Sequence, residues 1–392
     1  MIIAVRGCPA SNGVPSRLVA PVFASTCADR RTGMTERPRT IRTAGALADA
    51  GLVTTDAVTA VEAVAQRYAI SLTPTMRQRI AGGPDDPVAL QFVPRAEELD
   101  TADDELTDPI GDAAFTPVPG ITHRYRDRVL LKPLHVCPVY CRFCFRREAV
   151  GPGQGLLSDT DLQGAYAYVR AHPEIWEVIL TGGDPLILSP DRLRAIVTTL
   201  AGIEHVGVVR VHTRVPVVAP ERITDDLVDA LSADTPVWIV VHCNHRQELG
   251  PDAADALRRL SRGGIPLLSQ TVLLKGVNDS AGVLEELFRA LVRLRVKPYY
   301  LHQADLAPGT GHFRTTIAAG QELVRQLRGP VSGLCQPTYV LDLPGGHGKV
   351  PIAASQLARD ADGYLVTAPD GTVHRYAPRH VMATTAPAGA GT

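Results

Sequence analysis

Three cysteines, Cys137, Cys141 and Cys144, stand within the run CPVYCRFCFRR at CxxxCxxC spacing. Three thiolates are one short of the set that fully ligates a four-iron cubane, so one iron is left open to hold a small molecule and pass it an electron. A structural zinc site would want a fourth Cys or His at finger-like spacing, and the nearest histidine, His135, has no CxxC pair beside it. Unreactive core thiols fit poorly too, because Arg142, Arg146 and Arg147 flank the run.

Two glycine-rich segments could bring backbone or amine to such a site. In TGGDPL, Thr181 to Leu186, the adjacent Gly182 and Gly183 leave backbone groups unshielded for a ligand, although the same residues serve an ordinary tight turn. In YVLDLPGGHGKVP the phosphate-loop pattern fails, since Lys349 is followed by Val350. A mobile loop with one lysine suits different chemistry, a Schiff base with an aldehyde cofactor, from which the lysine swings away when a substrate amine displaces it. A surface lysine in a flexible turn is the plainer reading of a single GK pair.

These residues need a scaffold. Strands are expected at 128–132, 176–181, 206–213, 236–243, 266–274 and 297–303, separated by amphipathic runs such as DTDLQGAYAYVRAH and VLEELFRALVRLR. Alternation at roughly 30-residue spacing calls for a parallel sheet with crossover helices, either open or a full or partial barrel. The cysteine run follows the first strand, at the carboxyl end where parallel barrels place their chemistry. Helical periodicity from about 44 to 93 precedes an acidic connector, 98–120, expected to cross the surface. Near the C-terminus YLVTAPDGTVHRYAPRH reads as a hairpin about a PDG turn.

With 392 residues, a formal net charge of −1 and 45% hydrophobic residues, the chain can bury a large core and has no bias toward nucleic acid or anionic membrane. No apolar stretch is long enough to span a bilayer. Seven cysteines, an odd number at irregular spacing, argue against a disulfide framework and for a reducing compartment, so a cytoplasmic location is expected. Residues 1–33, with Cys8 and Cys27, read as a disordered or misassigned extension before a start at Met34, and 377–392 as a disordered tail.

In order along the chain, HRYRDRVLL, CPVYCRFCFRR, TGGDPL, RVPVVAPERIT, PVWIVVHCNH, VLLKGVND, PYYLHQADLAPGTGHFRT and LDLPGGHGKVP resemble the lysine 2,3-aminomutase family of radical S-adenosylmethionine (SAM) enzymes. The resemblance covers roughly residues 40–376. It implies an α/β fold, a partial (βα)6 barrel over 121–335, with an N-terminal helical region and connector at 34–120 and a lysine loop and hairpin at 336–376. Implied cofactors are a [4Fe-4S] cluster, SAM and pyridoxal 5′-phosphate (PLP), and the implied reaction moves an amino group from C2 to C3 of L-lysine. Implied partners are the amino acid, a reductant such as flavodoxin or ferredoxin, and further copies of the chain.

By position, the resemblance gives Cys137, Cys141 and Cys144 to the cluster and Lys349 to PLP. Arg124 and Tyr125 would grip the PLP phosphate, Arg146 the substrate carboxylate, and Asp305 and Asp342 the substrate side-chain ammonium. Gly182, Gly183, Asp184, His242 and Gln270 would contact SAM. A carboxylate pair selects a cationic tail and rejects an anionic one, because a buried ammonium must have its charge met. Departures are CRFCFRRE, closer to the branch tied to elongation factor P modification; Asp342, which that branch generally lacks; His302 in place of a tyrosine; His347 among glycines; and no cysteine cluster after Cys335, so no zinc is expected. Alternatives are an arginine 2,3-aminomutase, the elongation factor P branch and, from another class, an iron–sulfur electron carrier without PLP.

Overall fold

A computed structural model describes residues 39–153, 155–360 and 363–377. The expectations for 1–33 and for the tail after 377 lie outside the described residues. Nine strands form one sheet in chain order: β1 (Ile121–Tyr125), β2 (Arg128–Leu134), β3 (Glu177–Gly182), β4 (Val208–Thr213), β5 (Val237–His242), β6 (Leu267–Leu273), β7 (Val296–Gln303), β8 (Thr338–Leu343) and β9 (Gly348–Pro351). Pairing is parallel from β2 to β8 and antiparallel at the two edges. The six expected βα units all appear, as a partial barrel. β8 and β9, which the sequence boundary at 335/336 sets apart, continue the same sheet.

Near-continuous apolar runs such as EVILTG and VWIVVH suit parallel strands roofed by helices. Helices Asp159–Ala171, Pro190–Ala201, Asp225–Ala230, Pro251–Arg262 and Ala281–Arg293 are the crossovers. Ser158, Ser189, Thr224 and Ser280 start four of them, each side chain accepting a backbone N–H of the first turn. Leu162, Ala165, Tyr166 and Val169 show the resulting buried stripe on the first crossover helix. The sequence pattern does not predict a further helix, Ile317–Leu327, because Gly320 interrupts it. That glycine makes room for a ring: a Cβ there would stand 2.0 Å from the Tyr339 hydroxyl oxygen.

Four short helices, Ala44–Asp49, Val58–Arg67, Pro74–Arg79 and Pro87–Phe92, precede the barrel, and the segments around them are bonded to its cysteine loop. Tyr140 N–H donates to Ser71 O and Arg142 N–H to Gln91 O. The connector does not merely cross the surface. Glu98 is buried and residues 108–115 enter the site, because their carboxylates are needed against arginines from the barrel. β10 (Leu357–Asp360), β11 (Gly363–Thr367) and β12 (Val373–Tyr376) make a separate antiparallel sheet, the expected hairpin plus one strand. Among the described residues no helix is long and apolar enough to cross a membrane.

Candidate active site

β2 delivers the cysteine loop, and β3 locks it from the next position in the sheet. Gly183 N–H donates to Leu134 O and Asp184 N–H to Val136 O. A Cβ on Gly183 would lie 2.2 Å from Val136 O, and one on Gly182 2.6 Å from Leu134 O. On the Cβ side of both glycines the space is filled by the segment that leads into the cysteine loop. Asp184 turns inward as well: its carboxylate accepts Thr213 Oγ1 and Arg214 N–H at 2.6 Å, and the N–H groups of Leu186 and Val215. TGGD thus ties the ends of β2, β3 and β4 together, a positioning role the sequence does not suggest.

Cys137, Cys141 and Cys144 share a cavity with Tyr68, Tyr140 and Arg147. Burial and neighbouring carboxylate and thiolate charge push the Cys137 thiol well up, and burial with Cys141 pushes Cys144 up to about 11. Bound iron would supply the positive charge that holds such thiols as thiolates. Among the described residues no three His, Cys, Asp or Glu side chains converge as ligands of a single ion would. Three thiols lining one cavity suit a polynuclear cluster, in which each binds a different iron. Glu98 fixes the loop from below, its carboxylate bonded to Arg142 Nε at 2.9 Å and to Arg147, with both arginines and the glutamate buried.

Carboxyl ends of the later strands carry a band of polar side chains. His242 and Gln270 are register partners on β5 and β6 and touch through Nε2 of each, while Gln270 lies 3.5 Å from His212 Nδ1 on β4. Burial and the Arg214 charge bring His242 down to about 3, so it is a neutral hydrogen-bonding group. The remaining ring nitrogen of His212 is buried without a protein partner, as is His302 Nε2, which leaves polar atoms for a ligand to meet. Sequence reasoning does not single out His212; its signal is a half-open position alternating with buried Val209, Val211 and Thr213 along β4.

Lys349 is not on a mobile loop. Gly345 and Gly346, both with positive φ, turn the chain tightly enough to place the lysine on β9, opposite Asp342 on β8. Its Nζ is ion-paired with Asp342 Oδ2 and lies 3.3 Å from His302 Nδ1, and its backbone N–H donates to the Tyr125 hydroxyl at 2.8 Å. Tyr125 thereby joins the backbone of Lys349 to the strand that carries Arg124. Asp305 is brought to the same end, where burial and Asp342 raise it to about 7 against the opposing charges of Lys349 and Arg146.

The connector supplies a residue that sequence reasoning misses. Asp112 bridges the two expected anion forks, accepting from Arg124 Nη2 at 2.7 Å on one oxygen and from Arg146 Nη2 at 2.9 Å and Nε at 3.1 Å on the other. Lys132 adds a third cation to this group. Burial raises the Asp112 carboxyl, but Arg146, Lys132 and Arg124 together hold it below the usual carboxylate range. Asp108 caps the turn by accepting the N–H groups of Asp112 and Ala113, both at 2.8 Å. Gly111 beside it meets the lysine turn closely: a Cβ there would be 2.6 Å from Gly345 C. A cluster in which cations outnumber carboxylates, beside a lysine amine, suits a phosphorylated aldehyde and a second, carboxylate-bearing ligand.

Residues 131–287 match the family model described as the Radical SAM superfamily. The chain is 42% identical over 294 residues to the L-lysine 2,3-aminomutase of Clostridium subterminale, covering 75% of this chain and 71% of that one. It is 44% identical over 269 residues to the L-lysine 2,3-aminomutase of Acetoanaerobium sticklandii, covering 69% and 65%. A glutamate 2,3-aminomutase of Clostridioides difficile is 38% identical over 281 residues, covering 72% and 66%. These matches span between 65% and 71% of the relatives' own lengths.

Proposed function

The chain belongs to the L-lysine 2,3-aminomutase family of radical SAM enzymes, and on that premise we propose that it converts L-lysine to L-β-lysine by migration of the amino group from C2 to C3. One observation carries the choice of lysine over glutamate. Asp305 and Asp342 stand at one end of the barrel, so a ligand side chain arriving there meets two carboxylates, which attract an ammonium and repel a carboxylate.

The cluster supplies one electron when bound, SAM the radical that abstracts hydrogen, and PLP the conjugated ring through which the amino group moves. Cys137, Cys141 and Cys144 hold the cluster. Arg124 binds the phosphate of PLP and Arg146 the carboxylate of lysine, each by a planar fork that matches its anion. Lys349 holds PLP through Nζ, and Asp342 with His302 provides places for the proton that leaves or returns to that atom. Once Nζ carries PLP it no longer offers Asp342 an ammonium, and the side-chain ammonium of the incoming lysine takes that place. His212, His242 and Gln270 offer neutral polar contacts on the SAM side, and Asp184 acts through the loops it ties together.

We place this reaction in the cytoplasm, a reading supported by free thiols at every described cysteine, and in a homo-oligomer served by flavodoxin or ferredoxin, as the family resemblance implies. The test is an anaerobic assay of reconstituted protein with SAM, PLP and dithionite, offered L-lysine, L-arginine and L-glutamate in parallel. β-Lysine as the main product is expected. β-Arginine would keep the mechanism and move the substrate, whereas β-glutamate would overturn the reading of the two aspartates.

A further inference from the structure

Arg214 follows β4 directly and is buried, and beyond the effect of its charge on His242 none of the roles above uses its side chain. Its guanidinium is fixed from several sides. Nη2 donates to Glu248 Oε2 at 2.7 Å and to Gln91 Oε1 at 2.5 Å, and the plane lies 4.6 Å from the Phe92 ring centroid. Glu248 and Gln91 are themselves fully buried, and Glu248 is held by the N–H groups of Asn244 and His245. The backbone N–H of Arg214 is anchored separately on Asp184. So oriented, the arginine has one end free of carboxylate, and there Nη1 donates to Cys141 Sγ at 2.8 Å.

The other two cysteines differ. Cys137 and Cys144 receive backbone N–H groups, from Asp184 and Arg146. Only Cys141, among the three, takes a hydrogen bond from a buried cation whose position is set by other partners. A charged donor binds a thiolate more strongly than a thiol, and it binds more strongly still as negative charge accumulates on the iron and sulfur behind that thiolate.

We propose that Arg214 is a positioning and tuning residue for the iron–sulfur cluster: through its bond to Cys141 Sγ it stabilises the reduced cluster and raises the reduction potential from which SAM is cleaved. This rests on the assignment of Cys137, Cys141 and Cys144 as cluster ligands. Arg214 transfers no electron and no proton. An added electron comes from an external one-electron donor, and the arginine favours the state in which the cluster holds it, as hydrogen bonds and nearby charge do for iron–sulfur centres generally.

The experiment is an anaerobic redox titration of the reconstituted full chain, without SAM, followed by electron paramagnetic resonance, with iron and sulfide content measured on each sample. Removing Arg214 alone would leave Glu248 buried and uncompensated, so Arg214→Met/Glu248→Gln is compared with Glu248→Gln. The double variant is expected to be at least tenfold harder to reduce, a fall of about 59 mV or more for one electron. Arg214→Lys, which keeps the charge but loses the fork, is expected to fall in between. Equal midpoints for the double and single variants at full iron content would overturn the proposal. So would a folded double variant that holds no iron, since three thiolates should retain a cluster that Arg214 only tunes. A wild-type chain that takes up no cluster would instead sink the ligand assignment, and the proposal with it.

Discussion

Lys349 and Asp342 face each other as Cα partners across β8 and β9, and an ion pair joins their side chains. Burial raises the Asp342 carboxyl, but the His302 hydrogen bond and the Lys349 charge outweigh it and hold the group well below the usual carboxylate range. The carboxylate assigned to the substrate ammonium is therefore paired here with the enzyme's own ammonium, so a substrate cation must take the place of Lys349 to reach it.

Lys349→Ala should abolish the borohydride-trappable PLP adduct and lower turnover about 10⁴-fold or more, the scale seen when a covalent catalytic residue is removed. Mass spectrometry of the reduced protein checks the adduct. SAM cleavage by dithionite should survive, because the cysteine loop does not depend on β9 for its hydrogen bonds.

Asp305 must be charged to hold an ammonium, and it titrates at about 7. Lysine binding should weaken as pH falls through that value, KM rising up to about tenfold per unit, and Asp305→Asn should flatten this limb while raising KM at alkaline pH. The effect on folding has the opposite sense. A carboxyl raised in the folded state is favourable while neutral, so its contribution is lost as pH rises from the unfolded value to about 7. Urea midpoints should therefore show Asp305→Asn stabilised most at about pH 8, by an amount that shrinks toward about pH 5.

Asp112→Ala leaves Arg124 and Arg146 without their shared carboxylate. Breaking a buried pair this way costs about 3–5 kcal/mol of stability, and the forks lose their common support. Affinities for PLP and for lysine should both fall, whereas a local structural defect near one arginine would move only one. Absorbance titration of PLP and the KM for lysine separate these outcomes.

Gly183→Ala places a methyl group against Val136 O. Overpacking of this kind costs about 1–3 kcal/mol, and here the strain falls on the segment that leads into Cys137. Iron content after reconstitution should drop more steeply than helicity by circular dichroism.

The barrel is legible in the sequence because each βα unit repeats the same logic: a short apolar run, a turn, then an amphipathic helix, usually capped by Ser or Thr. Cys137, Cys141, Cys144 and Lys349 are legible because their types and spacing carry chemistry before any fold is known. Asp112, Lys132, His212 and Arg214 are not, since each matters through neighbours distant in sequence: Asp112 through Arg146, Arg214 through Cys141 and Glu248. TGGD reads as a ligand surface; that its glycines also admit the cysteine loop on their Cβ side is not legible, since that contact is made with residues distant in sequence. Lys349 reads as a loop residue because Gly345 and Gly346 look flexible, whereas they serve to turn the chain into β9.

Glu98 lies outside the barrel, yet it bonds to Arg142 and Arg147, on either side of Cys144. Burial disfavours its charge, but Arg142 and Arg147 prevail and keep the carboxyl low, so this clamp is fully made above the ordinary glutamate range and loosens only as acid approaches the lowered value. A chain deprived of the segment before residue 100 would keep all three thiols while losing the carboxylate that holds the arginines on either side of Cys144.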